Sequence, residues 1–443
     1  MSRSLLLECD PVDHPAALDA VERASWCAMR VWAGGQCVST SRDRSSQAER
    51  KTLYVPAFPV AEWLARNWWA LLNEVCSWDT VPVSPGKEAQ KRWKSRHCLR
   101  SADSSLMLPA LYLFHDGKCL RAEWRSDAPG SLPHMPGEFT AEGTQQLDRN
   151  TTEDALADFV NGVLDRVAGT DDEAVRQLRA LWRAIQGADA EEKHFCTLAG
   201  RMGLDPYDPS EVSDELARFF EESISDVEAP LVRDLTEVAR PESIASQWSW
   251  LTKANSDLGL RANPVDLPFD LPSLELPPPQ FGYRLARQVR SAADTAPAAP
   301  LHSVTETAKS VLRGGFRTED YNHIPGQGIR AIVGGSESGD IVVAGPRPSR
   351  VDSQRFLEAR SLYHALAATR KSQRLVTEAG SWDQKASRAF AAELLAPRQA
   401  LLNRLTESAA DGETVERLSR EFQASTLVIE RQLENAGIPL SLE

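Results

Sequence analysis

The feature that most constrains the fold is a proline-rich segment past the middle of the chain. Residues 261–280 contain six prolines, and proline both fixes φ and removes the backbone N–H. Neither a helix nor a central strand can continue through that density, so we expect an extended linker or a wrapping arm. A second soft stretch, rich in Ala and Pro, follows at residues 291–300. We therefore place the last domain boundary within residues 261–300.

The length and composition are those of an ordinary globular protein. The chain has 443 residues, of which 42% are hydrophobic and 26% charged, and this length favours two to three domains. No window approaches ~18 uninterrupted apolar residues, so no membrane span is predicted. Residues 1–15 offer only a short Leu run before two acidic residues, which is too little for a signal peptide. A cytoplasmic protein is expected.

Cysteine usage and net charge argue against several classes of function. The seven cysteines are scattered without a C-x-x-C pair. This disfavours a disulfide framework or a cysteine-based zinc site and is typical of reduced thiols. The formal net charge is −13, whereas proteins that hold nucleic acid mainly through phosphate contacts are usually basic. Non-specific DNA binding is therefore disfavoured.

Composition shifts predict an α+β, multidomain protein. Residues 1–148 mix strand and helix patterns, and Leu108–Trp124 contains two β-rich runs around an Asp-Gly pair that suits a hairpin turn. Residues 149–260 show helical periodicity with capping residues and form a predicted helical domain. Residues 301–443 form a further domain, which begins with a helix and two strands around a Gly-rich turn.

A helix predicted across residues 60–74 carries Trp63, Trp68 and Trp69. One interpretation is an aromatic face that packs into a core. The other is a ligand- or partner-binding surface, because aromatic residues dominate binding hot spots.

One spacing in the last domain points to chemistry. In "RFLEARSLYHAL", residues 355–366, Arg360 and His364 are four positions apart, like the two histidines of the H-E-x-x-H helix of zinc peptidases. One helical turn places both side chains on one face. Ser361 stands where that motif has its base glutamate. Asp383 comes later, where a carboxylate ligand from a second helix is expected.

These motifs together resemble a known family. "RFLEARSLYHAL" followed by "DQKASRAFAAELLAP" resembles the ImmA/IrrE metallopeptidases. Their first helix reads Arg-Phe-Thr-x-x-His-Glu-x-x-His, and their second reads Glu-x-x-Ala-Asn-x-Phe-Ala-x-x-Leu-Leu-x-Pro. The matching residues are Arg355, Phe356, Phe390, Ala391, Leu394, Leu395 and Pro397. The resemblance covers about residues 300–443 and implies a gluzincin-like peptidase fold in the C-terminal third.

Departures from the family pattern remove the metal chemistry. In strict register Arg360 replaces the first histidine ligand, Ser361 the base and Gln384 the carboxylate ligand, with Asp383 one residue early. Arginine offers no lone pair to a metal. Loss of the base alone removes a typical ~10²–10⁴-fold contribution. No catalytic residue and no cofactor are therefore expected.

The role of Arg360 has two interpretations. Either its guanidinium takes the place of the metal and pairs with Asp383, or it is a solvated helix residue and His364 is an ordinary structural histidine. The helix that Asp383 opens is expected to begin with a capping box formed by Ser381 and Gln384.

Two other hypotheses remain open. The first is an active zinc peptidase with a non-standard site, in which His364 and Asp383 bind zinc with His302 or His323. The second is a DNA-binding regulator that uses residues 414–438, whose two short helices resemble a helix-turn-helix.

The C-terminal helix pair has a structural alternative. It could equally be a helical hairpin packed on the domain. The candidate recognition helix carries only Arg431 against Glu430 and Glu434, which is poor material for approaching phosphates.

The leading expectation is a pseudoenzyme that acts by protein recognition or sensing. The resemblance implies that relatives act on regulatory proteins, often DNA-binding repressors, in bacterial regulatory, stress or phage-defence systems. The expected partner is a protein, either such a repressor or a subunit of a larger complex. Nucleic acid is not favoured, and no membrane partner is expected.

Overall fold

A computed structural model describes residues 4–13, 19–75, 87–223, 230–261, 267–312, 314–321, 324–367, 373–405 and 409–441. It contains helices together with several small sheets, which is the α+β class. Contacts between its backbone segments divide the chain into two compact units, residues 1–224 and 225–443. Among the described helices, none combines the length and apolar character that a membrane crossing needs.

The first unit mixes strands with helices. Its strands are β1 (Leu5–Pro11), β2 (Trp26–Ala33), β3 (Gln36–Cys37), β4 (Ser41–Asp43), β5 (Glu49–Arg50), β6 (Leu53–Pro56), β7 (Ala110–His115), β8 (Leu120–Arg125), β9 (Gly137–Phe139) and β10 (Gly143–Leu147). Its helices are α1 (Ala20–Ser25), α2 (Phe58–Arg66), α3 (Trp68–Asn73), α4 (Lys87–His97), α5 (Arg149–Arg166), α6 (Glu173–Gly187), α7 (Ala190–Arg201) and α8 (Asp214–Glu222), with a 3₁₀ helix at Leu99–Ala102.

The strands of the first unit form antiparallel sheets that share a core with the helices. β2 pairs with β1, β3 and β6, a second sheet has the order β10-β8-β7, and a third has the order β5-β4-β9. Leu7 lies opposite Val31 in the β1–β2 ladder, and both are buried. Leu156 of α5 and Trp182 of α6 belong to the same apolar cluster. Strands before residue 148 and helices after it are therefore parts of one core.

The predicted hairpin around Asp116 and Gly117 is confirmed. β7 pairs with β8 in antiparallel register, with His115 opposite Leu120. Gly117 has φ +95°, which a glycine adopts without steric cost. The Asp116 side chain accepts hydrogen bonds from the N–H groups of Lys118 and Cys119, both at 2.9 Å, and so closes a four-residue connection.

The helix predicted across residues 60–74 is two helices, α2 and α3. They separate at Asn67, whose side-chain amide donates to the carbonyl oxygen of Trp63 at 2.8 Å. Asparagine side chains that bond nearby backbone groups compete with helix continuation, which explains the break.

The second unit has four strands among the described residues and a larger set of helices. The strands are β11 (Phe316–Asp320), β12 (Ile329–Gly335), β13 (Ile341–Gly345) and β14 (Arg374–Thr377). The helices are α9 (Pro230–Thr236), α10 (Ile244–Asp257), α11 (Pro278–Ala292), α12 (Val304–Leu312), α13 (Val351–Ala367), α14 (Trp382–Leu395), α15 (Arg398–Leu402), α16 (Gly412–Phe422) and α17 (Thr426–Asn435).

These strands form one sheet with the order β11-β13-β12-β14. β11 is parallel to β13, and β12 is antiparallel to both of its neighbours. The two strands predicted around the Gly-rich turn are β12 and β13, and this prediction is confirmed. β14 lies at one edge of the sheet, between α13 and α14 in sequence, so it connects the two helices that carry the motif residues.

The predicted linker at 261–300 is partly helical. α11 begins at Pro278, and the first helical turn tolerates proline because its N–H groups have no intrahelical partner. Phe281 and Leu285 of α11 are buried in the core of the second unit. A Cβ at Gly282 would collide with the carbonyl oxygen of Ala386, so this glycine lets α11 lie close against α14. Residues 262–266 lie outside the described residues.

Candidate functional site

The motif residues lie on two helices that pack together and on the strand between them. α13 carries Arg360, Ser361 and His364, and α14 carries Asp383 and Gln384 near its start. Arg360 is 6% exposed, His364 1% and Gln384 0%. Positions that the family uses for metal ligands therefore converge in the interior, and Arg360 is not a solvated helix residue.

The side-chain oxygen of Gln384 is the point at which these residues meet. It accepts hydrogen bonds from Arg360 Nη2 at 2.7 Å and from the N–H of Thr377 at 3.1 Å. It also lies 3.3 Å from His364 Nε2. Arg360 and His364 thus meet at one side-chain oxygen of Gln384, and these are the three positions in ligand register.

Arg360 is held by neutral partners. Besides Gln384, its Nη2 donates to the carbonyl oxygen of Thr377 at 2.7 Å and its Nε donates to Ser387 Oγ at 3.1 Å. Burial, followed by the positive charge of Arg388, lowers the pKa of Arg360 well below its usual value. The guanidinium therefore contacts the same Gln384 oxygen that His364 Nε2 approaches, and the partners that these hydrogen bonds give it are neutral.

Asp383 is paired with a different arginine. Its Oδ2 accepts from Arg374 Nη2 at 2.8 Å, and its Oδ1 accepts from the hydroxyl of Tyr363 at 3.3 Å. Arg374 also donates to Asp234, through Nε at 2.8 Å and Nη2 at 3.0 Å. Burial alone would raise the pKa of Asp383, but Arg374 holds it below its usual value. The predicted pair between Arg360 and Asp383 is therefore wrong, and Arg374 neutralises this carboxylate instead.

His364 is a buried imidazole. Burial, followed by the charge of Arg374, holds the pKa of His364 well below its usual value. Its Nδ1 is buried and has no hydrogen-bond partner among the described residues. A lowered pKa disfavours the protonated form, so this environment does not favour His364 as a general acid.

The free edge of β14 is closed by side chains. The N–H of Leu375 donates to Asp234 Oδ2 at 2.9 Å, and its carbonyl oxygen accepts from Gln384 Nε2 at 2.8 Å. Thr377 is bonded in the same way, its N–H to Gln384 Oε1 and its carbonyl oxygen to Arg360. The Gln384 amide thus imitates a peptide group of a neighbouring strand. An edge strand usually offers such groups for strand addition, and here they are occupied.

The two serines near the site make no catalytic arrangement. Ser361 Oγ donates to the carbonyl oxygen of Leu357, one turn back in α13, at 2.8 Å. Ser381 precedes α14, but its side chain makes no capping hydrogen bond. The predicted capping box of Ser381 and Gln384 is wrong, because the Gln384 amide bonds β14 and Arg360 instead of reaching back to the helix start.

The residues present do not fit zinc. A guanidinium has no lone pair for a metal, which leaves His364 as the one usual protein ligand among the three ligand positions. His302 is exposed, whereas His364 is buried, and His323 lies outside the described residues. Within the described ranges, no three His, Cys, Asp or Glu side chains are grouped so that they could hold a metal ion.

Sequence reasoning missed the contribution of α9 and the turn after it. Asp234 lies 140 positions before Arg374, and no local pattern connects the two. Glu237 follows one turn later, and its Oε2 is buried without a hydrogen-bond partner among the described residues. Burial and the neighbouring Asp234 raise the pKa of Glu237 to about 8. Asp234 is thus a partner of Arg374, and Glu237 is a second carboxyl in this region whose protonated form is favoured.

The C-terminal helices α16 and α17 form the predicted pair, separated at Gln423, which has φ +49°. Gln432 of α17 donates to Glu393 Oε2 of α14 at 3.0 Å. Arg431 forms an ion pair with Glu434 at 2.8 Å. The contact of α17 with α14 is typical of a helical hairpin packed on the domain. The ion pair with Glu434 also engages Arg431, the basic residue of the candidate recognition helix.

The three tryptophans of the first unit lie in its core. Trp63, Trp68 and Trp69 are 8%, 6% and 9% exposed. The indole N–H of Trp63 donates to the carbonyl oxygen of Ser95 at 2.8 Å, and Trp68 packs edge-on against Trp182 with ring centroids 5.0 Å apart. Because the three side chains are buried, the prediction that they form a binding surface is wrong. Their burial agrees with the other interpretation, an aromatic face that packs into a core.

Comparison with known proteins adds no relative. No protein-family model matches the sequence, and a search of curated proteins finds no match. The resemblance to ImmA/IrrE metallopeptidases therefore depends on the two motifs, and the convergence of their residues is the structural observation that bears on it.

Proposed function

We propose that this protein is a catalytically inactive metallopeptidase-like protein that acts by recognising another protein. The observation that carries the proposal is the buried Arg360 guanidinium, which donates to the same Gln384 oxygen that lies 3.3 Å from His364 Nε2. A gluzincin-like domain of ImmA/IrrE type over residues 301–443 is part of the proposal. The packing of α13 against α14, with β14 between them in sequence, supports it.

Hydrolysis by this class of fold needs a metal-bound water and a carboxylate base. Arg360 stands in the register of the motif's first histidine ligand and has no lone pair for a metal, and the hydroxyl at position 361 is bonded within its own helix. Gln384 cannot carry the negative charge of a carboxylate ligand. The residues at 360, 361 and 384 therefore each remove a different requirement of the reaction: a histidine ligand, the carboxylate base and a carboxylate ligand.

The proposed partner is a protein, either a DNA-binding repressor or a subunit of a larger complex, in a bacterial regulatory, stress or phage-defence system. Because side chains occupy the edge of β14, the partner would be held on another surface and not by strand addition there. The internal pairing of Arg431 and the packing of α17 favour this protein-binding role over DNA recognition.

A cleavage assay tests the proposal. The purified chain is incubated with added zinc, a peptide library and a panel of bacterial repressors, and products are read by mass spectrometry. We expect no fragments from the wild-type protein. A matched Arg360→His/Ser361→Glu/Gln384→Glu variant restores the ligand register and reports whether the surrounding fold accepts the chemistry. Wild-type cleavage that disappears in His364→Ala would overturn the proposal.

A further inference from the structure

Two cysteines of the first unit lie on neighbouring antiparallel strands. Cys9 of β1 is opposite Met29, and Cys27 of β2 is opposite Pro11, so the two cysteines are diagonal neighbours. Alternate residues of a strand share one face, and this register places both thiols on the same face of the sheet. Cys9 is partly exposed, whereas Cys27 is 0% exposed.

A partly buried cation contacts the Cys9 sulfur, and a second thiol lies on the neighbouring strand. Arg166, the last residue of α5, places its Nη1 3.1 Å from Cys9 Sγ, and its Nη2 donates to the carbonyl oxygen of Cys9. The strand register places Cys27 beside Cys9 on the same face, and hydrogen bonding by its thiol favours the Cys9 thiolate and lowers the pKa of Cys9. Asp10 is the nearby group that opposes these effects. Hydrogen bonds and a cation at the sulfur stabilise a thiolate, which is the reactive form of cysteine.

The other thiols in the described ranges with a shifted pKa behave differently. The hydrogen bond from Cys27 and the charge of Arg166 outweigh burial and lower the pKa of Cys9 to about 7. Burial raises the pKa of Cys119 to about 12 and that of Cys196 to about 11. Cys9 thus combines partial exposure, a favoured thiolate and an adjacent second thiol, the three properties shared by redox-reactive cysteines.

We propose that Cys9 is a modification site: its thiolate reacts with hydroperoxides, and Cys27 then traps the product as an intrachain disulfide. In the first step the Cys9 sulfur attacks one peroxide oxygen, the O–O bond breaks, and the leaving alkoxide or hydroxide takes a proton from water. Cys9 becomes a sulfenic acid. In the second step Cys27 loses its proton and attacks the Cys9 sulfur, the S–O bond breaks, and hydroxide leaves as water with that proton. Two thiols are oxidised by two electrons, and one hydroperoxide is reduced.

The end of β1 allows the movement that the disulfide needs. Diagonal neighbours in a sheet have Cα atoms about 7–8 Å apart, and a disulfide spans about 4.4–6.8 Å. A shift of about 1 Å is therefore required. Pro11 ends β1 and has no N–H for the ladder, so this end of the strand is held by fewer hydrogen bonds than a strand interior.

Peptide mapping tests the proposal on the full chain. Reduced protein is treated with hydrogen peroxide, alkylated and digested with trypsin, which separates Cys9 (residues 4–23) from Cys27 (residues 24–30) and Cys37 (residues 31–42). We expect a linked 4–23/24–30 peptide in wild type and in Cys37→Ser. In Cys27→Ser we expect sulfenic or sulfinic acid at Cys9 instead. Wild-type Cys9 that stays alkylatable at doses that oxidise Cys37, or that reaches sulfinic acid without the link, would overturn the proposal.

Alkylation kinetics give a second test that does not depend on disulfide formation. At pH 7 we expect Cys9 of wild type to react with iodoacetamide about fourfold faster than Cys9 of Cys27→Ala, after allowance for the lower intrinsic nucleophilicity of a more acidic thiol. Arg166→Gln is also expected to slow the alkylation of Cys9, because it removes the cation beside the sulfur. Equal rates in all three proteins, with unchanged circular dichroism, would contradict the assigned thiolate.

Discussion

Two buried arginines in the second unit are satisfied in opposite ways. Arg374 is 5% exposed and bonds two carboxylates, those of Asp234 and Asp383. Although burial opposes it, this pairing raises the pKa of Arg374 well above its usual value. Arg360 is 6% exposed, and the bonds that the structure describes for it go to an amide, a backbone carbonyl and a hydroxyl. At similar burial, one arginine is paired with charges, whereas the other has no bonded counter-charge among the described residues.

The hydrogen bonds of Gln384 explain why an amide, and not a carboxylate, suits position 384. Its oxygen accepts from Arg360 and Thr377, while its nitrogen donates to Leu375. A carboxylate accepts only, so a glutamate would leave the Leu375 carbonyl oxygen without a donor. The amide closes the strand edge and holds Arg360 with one side chain. We infer that the roles of Arg360 and Gln384 depend on each other.

The largest expected effect concerns Arg374. Arg374→Met removes the cation and leaves the buried Asp234 and the partly exposed Asp383 without this counter-charge, so we expect the free energy of unfolding to fall by ~3–5 kcal/mol. Urea denaturation measures it. The matched control is Arg330→Met, which breaks the exposed pair with Glu378 and is expected to cost ~0–1 kcal/mol. Equal effects in the two variants would mean that the Asp234–Arg374–Asp383 network does not stabilise the fold.

A smaller effect is expected for Arg360→Met. This change leaves the Thr377 carbonyl oxygen and the Ser387 hydroxyl with one partner fewer, which costs ~1–3 kcal/mol. Removal of a buried cation without a bonded counter-charge offsets part of that loss. The same urea experiment should therefore rank Arg374→Met above Arg360→Met. A larger loss of stability in Arg360→Met than in Arg374→Met would mean that Arg360 is paired with a charged group, which contradicts its assignment to neutral partners.

A third expected effect is a pH dependence due to Glu237. The pKa of this carboxyl is about 8 in the folded protein and about 4.3 in an unfolded chain. Between these values the folded state holds one proton more, so Glu237 lowers stability progressively as pH rises from about 4 to 8. Glu237→Gln removes this slope. We expect the variant to gain stability over wild type at pH 8 but not at pH 4, and parallel pH profiles would contradict this.

Much of the fold around the site could be predicted from local patterns. α14 and the α16–α17 pair follow from helical periodicity and turn residues, and β12 and β13 follow from β-branched runs around glycines. The four-residue spacing of Arg360 and His364 correctly places both side chains in one buried region. These features depend on residues close in sequence, which is why the sequence alone predicts them.

The partners of those side chains could not be predicted. Gln384 bonds the edge of β14, and its orientation depends on where that strand lies, not on the helix it begins. Arg374 finds Asp234 across 140 positions. Arg360 and Asp383 both lie in or near ligand register, and for this reason the sequence predicts that they pair. In the structure Arg360 bonds Gln384, whereas Asp383 bonds Arg374.

The measurement that tests the central claim most directly is the zinc content of wild-type protein purified without chelators or a His-tag, after addition of zinc and removal of the excess. His364→Ala and Asp383→Ala serve as controls for specific ligands. With a guanidinium at position 360 and an amide at position 384, neither of which replaces a usual zinc ligand, we predict no more retained zinc in wild type than in either control. Close to one zinc ion per chain in wild type, lost in His364→Ala, would contradict the account and would mean that Arg360 moves aside to rebuild a metal site.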